Sequence, residues 1–218
     1  MVLVRGGAAS LDVLLLQRHR DLAFAGGAWV FPGGRLDEAD FGDDTTDLER
    51  AQVVAAAREC AEESGIAVEA GELHRWSHWT PPPQRTAKRF STAFFVTAAE
   101  WGDVVVDGEE IVAHQWCAPA TALELQAAGE IVLSPPTYIT LHQLAEHGTA
   151  AELLAAAPAR TVEHFTTHIG LAGNTVCALY HGDAAYESCD LSLDGPRHRL
   201  WMGPGPWRYE RDGSTLPS

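Results

Sequence analysis

The segment Arg58-Glu59-Cys60-Ala61-Glu62-Glu63-Ser64-Gly65 constrains this chain more than any other part of it. It closes a helix that the sequence predicts over residues 47–64. Thr46 can cap the start, with Glu49 three residues on completing a capping box. The alanine-rich run from Ala51 to Ala61 has high helix propensity. Gly65 stands where a left-handed residue would end the helix. On that helix Glu59, Glu62 and Glu63 fall at i, i+3 and i+4, so three carboxylates share one face within about a turn. They repel one another, and Arg58 supplies one local positive charge. Clustered hard oxygens suit Mg²⁺ or Mn²⁺. A glutamate-rich helix face taken alone is usually only a solvated surface.

The rest of the chain narrows the reading. Leu11–Leu16 and Ala28–Phe31 read as short strands, the second stopped by Pro32-Gly33-Gly34. An acidic, turn-rich stretch from Asp37 to Asp47 reads as a solvated loop. Gly71–Trp79, Phe90–Thr97 and Ile111–Cys117 read as strands, and Pro119–Ala127 as a short helix. Ser134-Pro135-Pro136 opens a further helix, with proline in the first turn where its missing N–H costs little, and Gly148 closes it. From Thr161 onward the pattern changes to short strands at 161–168, 175–180, 197–202 and 207–209, punctuated by Gly and Pro, as in a small antiparallel extension.

The formal net charge of −15 argues against a nucleic-acid partner, because the phosphate backbone would be repelled. An anionic substrate would need cations in the site. Arg85, Lys88 and Arg89 form the basic cluster available for that purpose. The four cysteines lack Cys-x-x-Cys spacing and the histidines form no H-E-x-x-H pair, so a zinc site is not expected. No apolar run reaches the roughly 20 residues of a membrane helix, and Met1–Ser10 lacks the order of a signal peptide.

The order of these features resembles the Nudix box, G-x5-E-x7-R-E-U-x-E-E-x-G-U with U a bulky aliphatic residue. The second half matches as Arg58 to Ile66, with Cys60 in an aliphatic position; the first half matches as Gly34 to Asp40, with Asp40 in place of the first Glu. Residues 41–57 separate the halves where the pattern expects seven, so about ten are inserted. The resemblance implies an α/β fold: the Nudix α/β/α sandwich around a mixed sheet over residues 1–147, with residues 148–218 as a helix plus β-rich C-terminal extension packed on it. It implies metal-dependent hydrolysis of a diphosphate bridge, with Mg²⁺ or Mn²⁺ as cofactor. By carry-over, Glu59 and Glu63 are metal ligands, Glu62 a third ligand or a base, and the Gly33 carbonyl a further ligand. Arg58 pairs with a box carboxylate and holds it in place. The resemblance also implies a further glutamate opposite the box, and Asp107-Gly108-Glu109-Glu110 offers Glu110 ahead of Glu109. Lys88, Arg89 and Arg35 are the candidate substrate contacts. Trp29 and Trp79 could stack a base, though tryptophan more often packs a core.

The inserted box, with Val13-Leu14-Leu15-Leu16-Gln17-Arg18, the 29–40 segment and Lys88-Arg89-Phe90, is similar to the coenzyme A diphosphatase-like Nudix branch. That branch cleaves CoA or acyl-CoA to 3′,5′-ADP and a 4′-phosphopantetheine product. Two other readings stay open: a Nudix pyrophosphatase for ADP-ribose, dinucleotides or damaged nucleotides, and a non-catalytic nucleotide-sensing Nudix domain whose C-terminal extension serves as a partner or homodimer surface. The expected partner is a small nucleotide-type molecule, with no nucleic acid or membrane. The ending Leu216-Pro217-Ser218 is not a Ser-Lys-Leu address, and the expected location is cytoplasmic.

Overall fold

The structure is a computed structural model that describes residues 1–7, 9–22, 25–83 and 91–212. Its main sheet comprises β1 (Val2–Arg5), β2 (Asp12–Arg18), β3 (Trp29–Val30), β4 (His74–Thr80), β5 (Thr92–Ala98), β6 (Ile111–Cys117) and β7 (Glu163–Thr166). The order is β3-β2-β1-β5-β4-β7, with β6 paired to β2. β2 pairs antiparallel with β6 from Val13 to Arg18, and also with β1 at its start and β3 at its end. The β1–β5 and β4–β7 pairs are parallel, so the sheet is mixed.

Both faces of this sheet are covered, which explains why β2 carries an unbroken apolar run rather than an alternating one. Leu14 and Leu16 pack in a cluster with Cys60 of α1 (Leu48–Ser64), while Val13 and Leu15 pack in a second cluster with Ile139 and Leu141 of α3 (Pro135–Leu144). The helices α2 (Pro119–Ala127) and α4 (Ala150–Ala156) join the α3 side through Ala122 and Leu153. Cys60 is fully buried and fills the aliphatic position of the box. No helix among the described residues is long and apolar enough to cross a membrane.

Several expectations change in detail. Asp47, not Thr46, caps α1: its carboxylate accepts from the Arg50 N–H at 3.0 Å. Gly65 ends the helix as expected, at φ 71°, donating to Ala61 O. The helix opened at Ser134 stops at Leu144, and a new one starts from Thr149, whose hydroxyl caps Glu152 N–H. The strand expected at Ala28–Phe31 shrinks to two residues, because Pro32 offers no donor to extend the ladder. β1, not foreseen, is fully buried at Val2, Leu3 and Val4 and sits centrally in the sheet.

Beyond residue 147 the chain contributes β7 to the main sheet and then forms a second, antiparallel sheet. This contains β8 (His168–Ala172), β9 (Thr175–Leu179), β10 (His198–Met202) and β11 (Arg208–Arg211), in the order β11-β10-β9-β8. An ionic seam joins the two sheets. Buried Glu163 on β7 accepts from Gln143 Nε2 at 2.8 Å and pairs with Arg211 of β11 at 2.8 Å, while Trp76 Nε1 donates to Gln143 Oε1. Trp79 stacks on Phe165 at 3.9 Å between ring centroids, so it serves the core.

Candidate active site

β2, β3, the C-terminal end of α1 and the start of β6 meet at one end of the main sheet. The turn after β3 carries Gly33 and Gly34 past the last turns of α1, where two backbone donors meet two carboxylates. The Gly33 N–H donates to Glu63 Oε2 at 2.8 Å, and the Arg35 N–H donates to Glu59 Oε1 at 3.1 Å. The approach is so close that a Cβ built on Gly34 would lie 2.2 Å from the Glu59 carboxylate. Gly33 has φ 153°, a conformation that favours glycine. The two glycines thus let the chain bring its N–H groups to the helix face. At Gly33 the bond to the helix is made by the N–H.

Arg58 organises the other side of the cluster. Its Nε and Nη2 donate to the two carboxylate oxygens of Asp40 at 3.0 and 2.9 Å, a bidentate pair, and Nη2 also reaches Arg35 O at 2.9 Å. Its Nη1 donates to Glu59 and Glu62, both at 3.0 Å. Asp40 is buried in a 3-10 turn over Glu38–Phe41, so the acidic stretch is not merely a solvated loop. The Arg58 guanidinium holds the Asp40 carboxyl below its usual range, and Asp40 in turn raises Arg58. Sequence reasoning placed Asp40 in the position of the first box glutamate but gave it no task, because aspartate stands there in place of glutamate.

The three glutamates differ in setting. Glu63 is 6% exposed, and burial, with Glu59 and Glu110 nearby, pushes its carboxyl up to about 7 despite the Gly33 bond. Glu59 is mostly buried between Arg58 and the Arg35 N–H, and Glu62 has a side chain 58% exposed, touching Arg58. Among the described residues no group of three or more His, Cys, Asp or Glu side chains stands in metal-holding geometry. The Gly33 and Arg35 N–H groups and Arg58 bond these carboxylates in place.

The loop between β5 and β6 crosses the end of α1, with Val105 N–H donating to Ser64 O at 2.9 Å. It delivers Asp107, whose Oδ1 accepts from the N–H groups of Glu109, Glu110 and Ile111. This turn fixes the start of β6 and points Glu110 at Arg18, at 2.6 Å. The arrangement brings Glu110, not Glu109, to the carboxylate cluster. Arg35 contributes backbone contacts on both sides and is itself exposed. The expected cationic contacts Arg85, Lys88 and Arg89 lie outside the described residues.

A two-layered covering of a mixed sheet, with a glycine turn bonded to a glutamate helix, defines a class. The NUDIX domain family matches residues 1–134, more than half of the chain, and the chain belongs to that family. It is 33% identical over 119 residues to human acyl-coenzyme A diphosphatase NUDT19, covering 52% of this chain and 32% of the relative. The Xenopus laevis protein of the same name is 22% identical over 241 residues, covering 68% of this chain and 63% of that protein. The chain therefore spans less than two thirds of the length of these relatives. Among solved structures, a NUDIX hydrolase from Alicyclobacillus acidocaldarius superposes with a TM-score of 0.64 at 23% identity, covering 74% of this chain and 94% of that one. The NUDIX domain of Shewanella oneidensis NrtR, solved with ADP ribose, superposes with a TM-score of 0.50 at 19% identity over 66% of this chain and 82% of its own.

Proposed function

We propose that this chain hydrolyses the diphosphate bridge of CoA or acyl-CoA, in a Mg²⁺- or Mn²⁺-dependent reaction that yields 3′,5′-ADP and the 4′-phosphopantetheine product. The observation that carries the chemistry is the hinge of Gly33 and Arg35 N–H groups on Glu63 and Glu59, beside the Arg58 clamp. Similarity to the acyl-CoA diphosphatases over half of the chain supports this choice of substrate.

The donor set fits a hard divalent cation. It consists of carboxylates, and burial of Glu63, with Glu59 and Glu110 nearby, pushes its carboxyl up to about 7. Bound there, a divalent ion would lower the pKa of an attacking water and neutralise charge on the bridging phosphates. Glu59 and Glu63 would hold it, with Glu62 as third ligand or base and the Gly33 carbonyl as a further oxygen. Arg58 fixes Glu59 and Glu62 and is braced by Asp40. Glu110 is assigned, as the alternative to Glu62, to take a proton from the attacking water. Arg35, Lys88 and Arg89 are assigned to the substrate phosphates. Residues 1–147 make up the catalytic domain in this reading, and 148–218 its extension.

Chromatography of the products from a substrate panel tests the proposal. The expected result is Mg²⁺-dependent release of 3′,5′-ADP from CoA, abolished in Glu63→Gln. Turnover of ADP-ribose with none of CoA would overturn the substrate. No turnover of any diphosphate, with normal metal binding, would overturn the enzymatic reading.

A further inference from the structure

Arg18 stands at the centre of the candidate site, yet neither the box nor its expected partners assign it a task. It is the last residue of β2, where the ladder to β6 shifts register: Gln17 lies opposite Ala113, and Arg18 opposite Ile111. The extra residue, Val112, stands on β6, so the irregularity re-aims the start of β6, next to Glu110. Leu14 and Leu16 lie on the α1 side of the sheet, and Arg18 continues that alternation. Its backbone is pinned on both sides, its N–H donating to Ala28 O at 3.0 Å and its carbonyl accepting from Gly27 N–H at 3.1 Å. The next residue, His19, donates its N–H to Glu110 O at 2.7 Å.

On this platform the Arg18 guanidinium meets the Glu110 carboxylate, Nη2 to Oε1 at 2.6 Å. The two partners differ in freedom. The Arg18 side chain is 15% exposed and its Nε is buried with no hydrogen-bond partner among the described residues, whereas the Glu110 side chain is 47% exposed. The buried partner is therefore the fixed one. A half-exposed glutamate without it would sample several rotamers in water. Both groups also lie within electrostatic range of Glu63.

We infer that Arg18 is a positioning residue that holds Glu110 against the carboxylate cluster of α1, as an ion pair across the end of the β2–β6 ladder. The inference rests on the reading of Glu110 as the carboxylate that acts on water. Two consequences follow from the geometry. Without Arg18 the chemistry slows because Glu110 leaves its place, while substrate binding is untouched. Without Arg18 the Glu110 carboxylate moves away from the cluster in the resting protein as well.

The experiment compares Arg18→Gln, Arg18→Lys, Glu110→Gln and the double variant Arg18→Gln/Glu110→Gln in the full chain. The substrate is whichever diphosphate the wild type hydrolyses, and the variant structures are determined separately without substrate. Arg18→Gln should lower kcat about tenfold or more with KM within about twofold, and Arg18→Lys should restore part of the loss. In the double variant kcat should fall no further than in Glu110→Gln alone, since residues acting as a unit are not additive. A crystal structure of Arg18→Gln should show the Glu110 carboxylate displaced from the α1 cluster, which a lesion elsewhere in the fold would not produce. A raised KM with unchanged kcat, additive losses, or Glu110 unmoved in Arg18→Gln would overturn the inference. If Arg18→Gln does not fold, Arg18→Met takes its place: kcat equal to wild type would overturn the inference, and a kcat loss at constant KM would support it. The structural comparison needs no turnover, so it tests the positioning even if the proposed reaction fails.

Discussion

Replacing Gly34 by alanine isolates the closeness of the glycine turn to α1. The backbone at Gly34 is not left-handed, so alanine meets no conformational penalty there; the obstacle is the Glu59 carboxylate, three atoms of which lie 2.2–2.3 Å from the new Cβ. The end of a flexible side chain can move, and Glu59 must swing away. It would then lose the Arg35 N–H at 3.1 Å and Arg58 Nη1 at 3.0 Å. Bonds to charged groups are worth about 1.5–3 kcal/mol each when fully formed. Solvent replaces part of that as Glu59 turns outward, and alanine restrains the unfolded chain by about 0.4–1 kcal/mol in compensation. The net loss of stability is therefore about 1 kcal/mol, or roughly 2–4 °C in Tm for a domain of this size. The effect on cation binding is larger, about 10- to 100-fold, as expected when a ligand loses the partners that orient it. Thermal melts and Mn²⁺ titration measure both quantities, in the wild-type and Glu59→Ala backgrounds. With Glu59 cut back the clash disappears, so Gly34→Ala should then be neutral or slightly stabilising. An equal loss in both backgrounds, or wild-type Mn²⁺ affinity in Gly34→Ala, would refute the reasoning.

What the sequence revealed followed from local rules. The α1 helix, its end at Gly65 and β6 could be read from periodicity and breakers, because their apolar faces and end residues agree with the tertiary structure. The glutamate face was legible through spacing alone. What stayed hidden depended on contacts distant in the chain. β1 carries only four residues, and its place in the middle of the sheet follows from pairing with β5, more than ninety positions later. Asp40 was legible as the residue in place of the first box glutamate, but its bidentate contact with Arg58, eighteen residues on, was not. Arg18 ended a plain strand, and its contact with Glu110 arises from a shift in a ladder that no local pattern encodes. The β-rich character of residues beyond 161 was plain from glycine and proline punctuation, but the parallel pairing of β7 with β4 was not, since parallel partners leave no short turn to read.

Two further outcomes are expected from buried charged contacts. Glu163→Ala leaves Arg211 and Gln143 facing a buried gap at the seam between the sheets. It should cost about 3 kcal/mol, as removal of one partner from a buried pair does; urea unfolding measures it, and a loss under about 1 kcal/mol would remove the seam from the stability of the fold. Asp40 contributes to the acid limb of stability. Arg58 lowers its folded pKa below the ordinary carboxylate value, so the folded state favours the ionised form. The stabilisation is then fully present above the unfolded pKa of about 4 and is lost as pH falls through the lower, folded value. Asp40→Asn keeps an acceptor for Arg58 but cannot titrate, so it should be less stable than wild type at pH 6, with the gap closing towards pH 2–3. A gap of constant size across that range would mean that the Asp40–Arg58 pair stabilises the fold by shape rather than by charge.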